Sequence, residues 1–264
     1  MDKKLLLLCI VTLFVVLGMI FEPSAETPSQ LRYFIVNLGQ FAVILVAFLI
    51  GLEGVKFFSL KSRLAKSLLF ISLGLLSWGF GVLIWLYYNV VLHVEVPYPS
   101  WGDIGFLGII PLMGYGLFQL LKGISFKFNM ASVLKAAFPL CVVFVLAYIF
   151  IIHDKLSEDA SFLVKTLDVL YPLSDAFFVA LALLALVYVW ATVTYRVLLF
   201  KPLAIICIGL VIEAVADFSF SYTTAIASYY IGNWVDMLFT LAFFTIGVGM
   251  YYLRRTHQDF ILKQ

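Results

Sequence analysis

Residues 67–90 read SLLFISLGLLSWGFGVLIWLYYNV, a run without a charged side chain that directly follows Lys66. As an α-helix with a rise of 1.5 Å per residue, such a run crosses a hydrocarbon core of about 30 Å. Further apolar runs lie at about 5–21, 34–53, 104–121, 136–152, 170–194, 203–222 and 234–253. The pattern predicts an all-α protein, a polytopic membrane bundle of eight transmembrane helices.

Composition supports the membrane class. Hydrophobic residues make up 64% of the chain, charged residues 12%, and the mean hydropathy is +1.10, which is far from the values of soluble domains. The segments between the runs are short, so residues 1–264 form a single transmembrane domain. The net charge of +2 is spread over these segments, which argues against nucleic acid as a partner and leaves the lipid bilayer as the expected one.

The basic residues indicate the orientation. All but three of the seventeen Lys and Arg residues lie in the N-terminal segment, in every second connection, or in the C-terminal tail. The exceptions are Arg32, Lys155 and Lys165. Since basic residues concentrate in cytoplasmic segments, both termini are predicted to be cytoplasmic. The inner-end acid Glu53 is expected to pair with Lys56, one turn further along its helix.

The first run also resembles a signal peptide, because MDKK precedes an apolar core. A cleavage point after Ala25 would place Pro23 at the third position before the cut, which fits the small-residue rule poorly. We therefore favour an uncleaved first helix. Cleavage would leave seven spans and an external N-terminus.

Asp103, Asp175 and Asp236 are predicted to lie in the first turns of the fourth, sixth and eighth helices. An acid there interacts favourably with the helix dipole, by roughly 0.3–1 kcal/mol. Ser100 and Asn233 each precede an acid by three residues, which is the spacing of N-caps with a reciprocal acid. The similar starts of these three helices indicate duplicated two-helix units. Capping and a shared ligand site are both open readings of these acids.

Glu213 and Asp217 do not fit the capping explanation. Their spacing of four places both on one helix face, and Glu213 lies near the middle of its run. An acid at bilayer depth costs about 2.5–3.5 kcal/mol on insertion scales. Glu213 is therefore either protonated and hydrogen-bonded, or it lines a functional pocket with Asp217.

The sequence contains no HExxH, GxSxG or phosphate-binding glycine loop. It has no paired histidines at ligand spacing and no lysine in its last two runs before the tail. We therefore predict neither enzymatic activity nor a metal centre, and no cofactor is identified.

Four motifs carry a family resemblance: PYPSWGDIGFLGIIPLMGYGL, YPLSDAFFVALALLAL, EAVADFSFSY and GNWVDMLFTLAFFTIG. Over roughly residues 60–253 they resemble the N-terminal multi-helix sensor region of bacterial and archaeal signalling proteins. In that family the region precedes GGDEF diguanylate cyclase, EAL phosphodiesterase, PAS or histidine kinase domains, and acids recur at the motif positions. No output domain is expected in residues 254–264, so the resemblance is to a stand-alone relative, to a subunit that acts through a partner, or to a shortened chain. The resemblance implies a prokaryotic plasma membrane and a cytoplasmic or membrane signalling partner.

The functional prediction is a sensory or ligand-binding membrane module with an outward-facing acidic pocket. The alternative is a cation- or proton-coupled transporter or channel that uses Glu213 and Asp217. The predicted site residues are Asp103, Asp175, Glu213, Asp217 and Asp236, with Trp101 and Trp234 at the rim.

Overall fold

The structure is a computed structural model that describes residues 2–21, 29–124, 126, 161–191 and 193–262, with single positions between 134 and 149. The described residues form seven long helices and no β-strand. They are α1 (Lys3–Phe21), α2 (Gln30–Phe58), α3 (Arg63–Leu92), α4 (Gly102–Gly123), α5 (Phe162–Ala191), α6 (Val193–Ala225) and α7 (Trp234–Ile261). α2 contains a π-helical turn at Phe34–Leu38 and α3 ends in another at Tyr87–Leu92.

All seven helices are long and apolar enough to cross a membrane, so the prediction of a helical, multi-pass membrane protein is confirmed. The predicted fifth span, 136–152, lies outside the described residues apart from single positions, and the eight-span count stays a prediction. Most helices extend beyond the apolar runs that predicted them. The backbone hydrogen bonds that a helix must form within the hydrocarbon core continue into the polar residues on either side of the apolar run.

Six of the helices form a closed ring in the order α2, α3, α4, α5, α6 and α7, and α7 packs back against α2. α1 lies outside this ring, in the groove between α2 and α7. Side chains fill the centre of the ring, where Trp78 of α3 contacts Phe239 and Phe243 of α7 with ring centroids 5.3 and 4.4 Å apart. The described helices therefore enclose a packed core rather than an open pore.

Neighbouring helices run antiparallel, except at two interfaces. α4 and α5 run in the same direction, because Gly114 of α4 faces Phe177 and Phe126, just beyond α4, contacts Tyr188. α7 and α2 are also parallel. The end of the bundle at which α2, α4, α5 and α7 begin is called the upper end below, and the opposite end the lower end. The chain between Gly123 and Phe162 therefore connects the lower end to the upper end.

At the lower end, ion pairs join α1, α2 and α7. Glu53 of α2 contacts Lys4 at 2.6 Å and also pairs with Arg254 of α7, whose guanidinium reaches Asp2 at 2.9 Å. The prediction that Glu53 pairs with Lys56 is therefore wrong. Lys4 and Arg254 are brought to Glu53 by packing of helices distant in sequence, and sequence spacing within α2 could not have indicated them.

Candidate functional site

Three carboxyl groups meet in the upper half of the bundle. Asp175 comes from α5, and Glu213 and Asp217 come from α6; their oxygens lie within 4.8 Å of one another. The side chains of Asp175 and Glu213 are almost fully buried, with 4% and 3% exposure, and Asp217 is half-buried. We call these three residues the carboxyl cluster.

Helix geometry explains the arrangement. Glu213 and Asp217 are one turn apart on the same face of α6, as their spacing predicted, and the antiparallel neighbour α5 presents Asp175 to that face. The placement of Asp175 in a first helical turn is wrong. α5 begins at Phe162, so Asp175 lies in the helix interior, more than three turns from its start. There it cannot cap the helix, since capping requires the unpaired N–H groups of the first turn.

The cluster is incompletely satisfied by the protein. Asp175 and Asp217 share a side-chain hydrogen bond, which requires a proton on one of the two carboxyl groups. Glu213 Oε2 is buried and has no hydrogen-bond partner among the described residues. The charged groups that act on Asp175 and Glu213 are other members of the cluster, and no basic group of the described chain is among them. Burial of a polar atom without a partner is costly and therefore uncommon.

Asp103 of α4 is tied to the helix that carries Asp175. The hydroxyl of Tyr171, one turn before Asp175 on α5, donates to Asp103 Oδ1 at 2.5 Å. The backbone N–H of Ser100 donates to Asp103 Oδ2 at 2.6 Å. The acid's half of the predicted cap is thus confirmed, whereas the Ser100 hydroxyl accepts from the N–H of Gly102 at 3.1 Å and the N-cap position itself is Trp101. The Asp103 carboxylate also ties α4 to α5.

A second tyrosine–carboxyl pair connects the segment before α4 to α5. The Tyr98 hydroxyl donates to Asp168 Oδ1 at 2.8 Å. Burial and the neighbouring Asp168 carboxylate raise the pKa of Tyr98, so its hydroxyl keeps the proton that it donates. Together with the Tyr171–Asp103 pair, this contact forms a polar layer between the upper end and the carboxyl cluster.

Asp236 belongs to a different network. Its Oδ2 accepts from the backbone N–H of Gly232 at 2.6 Å, and the Tyr229 hydroxyl donates to the same carboxylate at 3.2 Å. Asn233 caps α7 by accepting from the N–H of Val235, as predicted. Asp236 therefore stabilises the turn that begins α7, and it is separated from the carboxyl cluster in the hydrogen-bond network.

Buried Arg32 of α2 completes this second network. Its Nε donates to the carbonyl of Ile231 at 2.6 Å and its Nη2 to that of Gly232 at 3.0 Å. Gln40, two turns further along α2, donates to the backbone carbonyl of Asp236 at 3.0 Å. Arg32 was predicted to lie in an external connection, and in the structure it belongs to α2 and fixes the turn between α6 and α7.

Trp101 and Trp234 lie near the starts of α4 and α7 with 69% and 53% of their surface exposed. Among the described residues, neither indole ring makes an aromatic contact with a tyrosine of the two acidic networks. Such a position at a helix start suits an aromatic belt at the membrane interface.

Sequence analysis missed the tyrosines that complete the site, and Tyr171 is the most informative of them. It precedes Asp175 by four residues, which places both on one face of α5. That spacing is visible in the sequence, and Tyr171 lies within the predicted run 170–194, but a tyrosine near a span end is also typical of an interfacial aromatic belt. Tyr98 and Asp168 carried no comparable signal, because their contact joins segments far apart in sequence.

Two antiparallel pairs in the bundle pack in the same way, α3 with α4 and α6 with α7. Gly74 of α3 lies against the backbone of Met113, where an added Cβ would come within 3.2 Å of the Met113 nitrogen. Gly209 of α6 stands in the same relation to Ile246, at 3.0 Å. A side chain at either position would crowd the facing backbone, so the two helices would have to shift apart slightly.

Reciprocal contacts follow at the same spacing in both pairs. A Cβ on Gly116 of α4 would lie 2.8 Å from the nitrogen of Ile71, and one on Gly249 of α7 would lie 2.9 Å from that of Ile206. The two pairs are therefore structural repeats. α4 and α7 correspond to the fourth and eighth predicted spans, whose starts are similar in sequence. α5 corresponds to the sixth predicted span and lies outside both pairs.

The repeat shows which residues occupy the cluster positions in the first pair. Counted from Gly74 and Gly209, Trp78 corresponds to Glu213 and Val82 to Asp217. Trp78 and Val82 are both buried in the core. The first pair therefore has apolar side chains at the positions where the second pair has Glu213 and Asp217.

No known protein family, curated protein or solved structure matches this chain.

Proposed function

We propose that the chain is a sensory or ligand-binding module of a prokaryotic plasma membrane, with its ligand site at the carboxyl cluster and signalling through a partner. In this proposal the chain has eight spans, both termini are cytoplasmic, and the upper end faces outward. The distribution of Lys and Arg supports the orientation. The parallel directions of α4 and α5 support an eighth crossing, because the chain between them joins opposite ends of the bundle.

The observation that carries the proposal is the carboxyl cluster itself. Each acid at bilayer depth costs about 2.5–3.5 kcal/mol on insertion scales, and three such groups lie together without a basic neighbour in the described chain. The first repeat builds the same helix packing with Trp78 and Val82. A cost that the first pair avoids with apolar side chains indicates that the carboxyl groups serve a function.

The surroundings of the cluster favour binding over transport. The two tyrosine–carboxyl pairs lie above the cluster, and Asp217 is its least buried member. In this proposal, this polar side is the approach from the upper end. Towards the lower end, the buried side chains of α6 and α7 are apolar, including Ile206, Leu210 and Met250. A ligand that enters from above therefore meets a packed hydrophobic layer below Glu213.

The second candidate is a cation- or proton-coupled transporter or channel. It is favoured by the depth of Glu213 and its unpartnered oxygen at the inner end of the polar approach. In this case a rearrangement of the packed lower half would have to open a path beyond Glu213.

Signalling through a partner rests on the resemblance to the sensor regions of signalling proteins. Of the motif acids that carry it, Asp175 and Asp217 lie together, and Asp103 bonds to Tyr171, one turn before Asp175 on α5; Asp236 lies in the separate network at the start of α7. A site whose members come from α4, α5 and α6 can couple ligand binding to movement between these helices.

The proposal is tested on the purified full chain by measuring its melting temperature across pH and with a panel of mono- and divalent cations. A functional cluster predicts ligand- or pH-dependent stabilisation that is lost in Glu213→Gln and kept in the control Asp259→Asn, a lower-end acid paired with Arg255. Identical responses of wild type and Glu213→Gln under every condition would refute a ligand site at the cluster. Ion or proton flux in vesicles, abolished by Glu213→Gln, would favour the transporter.

Topology is tested separately. A reporter fused after Gln264 is expected to be cytoplasmic, and a tag inserted between Pro97 and Ser100 is expected to be accessible from outside. An external C-terminus would contradict the eight-span arrangement.

A further inference from the structure

The charge and donor set of the carboxyl cluster indicate the chemical class of its ligand. All of its side-chain donors are carboxylate oxygens, which are hard ligands. Neither a thiol nor an imidazole belongs to the group formed by Asp175, Glu213 and Asp217. Such a set suits Ca²⁺, Mg²⁺ or Mn²⁺ and is a poor match for the softer transition metals that prefer nitrogen and sulfur.

We propose that the carboxyl cluster binds a single divalent cation, preferentially Ca²⁺, through Asp175, Glu213 and Asp217. The inference rests on the proposed function, since it names the ligand of the same site. The three residues then provide up to three negative charges against the two positive charges of the ion. No basic group of the described chain competes for them.

The spacing of the oxygens is compatible with one shared cation. One oxygen from each residue lies within 4.8 Å of the others, so small side-chain movements bring all three groups to a single ion. Ca²⁺ accepts bonds of about 2.3–2.6 Å in a flexible geometry, whereas Mg²⁺ demands near-ideal octahedral geometry at about 2.0–2.1 Å. Three carboxyl groups that come from two helices therefore suit Ca²⁺ better.

Glu213 provides the independent indication of a ligand. Glu213 is only 3% exposed, and its Oε2 has no hydrogen-bond partner among the described residues. A cation held by the cluster would satisfy this atom directly. The neighbouring carboxylates Asp103 and Asp168 differ, because each already accepts a hydrogen bond from a tyrosine hydroxyl.

The tyrosine pairs are expected to leave the inner coordination shell to the three acids. Tyr171 uses its hydroxyl proton on Asp103, so it holds that carboxylate away from an ion in the cluster. Half-buried Asp217 provides the exposed side of the site, where water molecules would complete the six to eight oxygen ligands that Ca²⁺ takes. With three protein carboxylates and an external exposure, the affinity is expected to fall in the range of extracellular modules, about 0.1–1 mM.

The test is calorimetric titration of Ca²⁺ into the purified full chain in detergent, together with the melting temperature at saturating Ca²⁺. We expect one Ca²⁺ per chain and a higher melting temperature. Glu213→Gln and Asp217→Asn should each weaken binding by at least about tenfold, because affinity follows the number of charged ligands. Glu213→Asp should retain part of the affinity, and the lower-end control Asp259→Asn should bind as wild type does.

Several outcomes overturn the proposal. Absence of Ca²⁺, Mg²⁺ and Mn²⁺ binding to folded wild-type protein would refute it, as would equal affinity in wild type and Glu213→Gln. If wild type then still shows a pH- or solute-dependent stabilisation that Glu213→Gln lacks, the proposed ligand site stands and only its divalent cation is wrong. If neither is seen, both proposals fall. Should Asp217→Asn not fold, Glu213→Gln decides alone, since its amide preserves the shape of the side chain.

Discussion

Mutual repulsion within the carboxyl cluster predicts that neutralising two of its acids will not have additive effects. The perturbation is a double-mutant cycle with Asp175→Asn and Glu213→Gln, measured without divalent cations. Asn keeps a donor that can bond to Asp217, and Gln keeps the shape of Glu213, so both variants change charge more than packing. Either substitution alone abolishes the repulsion between Asp175 and Glu213. The second substitution therefore relieves less repulsion than it does in the wild type.

The magnitude follows from the distances. Two ionised carboxylates no more than 4.8 Å apart repel by about 3.5 kcal/mol at an effective dielectric constant of about 20. A proton between Asp175 and Asp217, which hydrogen-bond to each other, would relieve part of this repulsion. We therefore expect a coupling free energy of about 1–3 kcal/mol at alkaline pH, in the range seen for residues in one network. At acid pH all three groups are protonated and the coupling should disappear.

The assay is reversible unfolding in mixed detergent micelles with a chelator, at alkaline and at acid pH. The matched control cycle combines Glu213→Gln with Asp236→Asn, because Asp236 belongs to the network at the start of α7. This control should be additive within about 0.5 kcal/mol. A cluster cycle that is equally additive at alkaline pH, or a coupling that is unchanged at acid pH, would refute the reasoning.

Three further predictions concern the contacts around the site. Arg32→Lys should lower the free energy of unfolding by about 2–4 kcal/mol, because lysine lacks the planar fork that donates to two buried carbonyls; an unchanged denaturation curve would contradict this. The raised pKa of Tyr98 means that its contribution is complete below pH about 10 and is lost as pH rises above it, so Tyr98→Phe should flatten the alkaline decline in stability. Glu53→Ala should leave Arg254 with a single carboxylate partner and loosen α1, seen as faster proteolysis near the N-terminus, whereas equal protection in wild type and variant would exclude this role.

Several features of the fold could be predicted from the sequence. The spans followed from apolar runs, because a segment in lipid must satisfy its backbone groups internally and therefore forms a helix. The shared face of Glu213 and Asp217 followed from their spacing of four, and the cap at Asp103 followed from its distance to Ser100. These are local properties, determined by helix periodicity and by hydrogen bonds between residues close in sequence.

Which helices pack against one another, and therefore which side chains meet, depended on tertiary packing. Asp175 was predicted as a helix-start acid because it follows the turn-forming residues YPLS and precedes an apolar run. In the structure α5 begins at Phe162 and continues through Pro172. The earlier turns pack Asp168 and Tyr171 against the rest of the bundle, where they bond to Tyr98 and Asp103.

The sequence alone therefore determined the class, the approximate spans and the faces on which the acids lie. It could not determine that Asp175 joins Glu213 and Asp217 while Asp236 lies in a separate network. Apolar helices offer similar surfaces to many partners, and their neighbours are selected by close contacts such as those of Gly209 and Gly249 with the facing backbone. Whether distant acids become caps or one cluster is decided by that packing, which no spacing along the chain encodes.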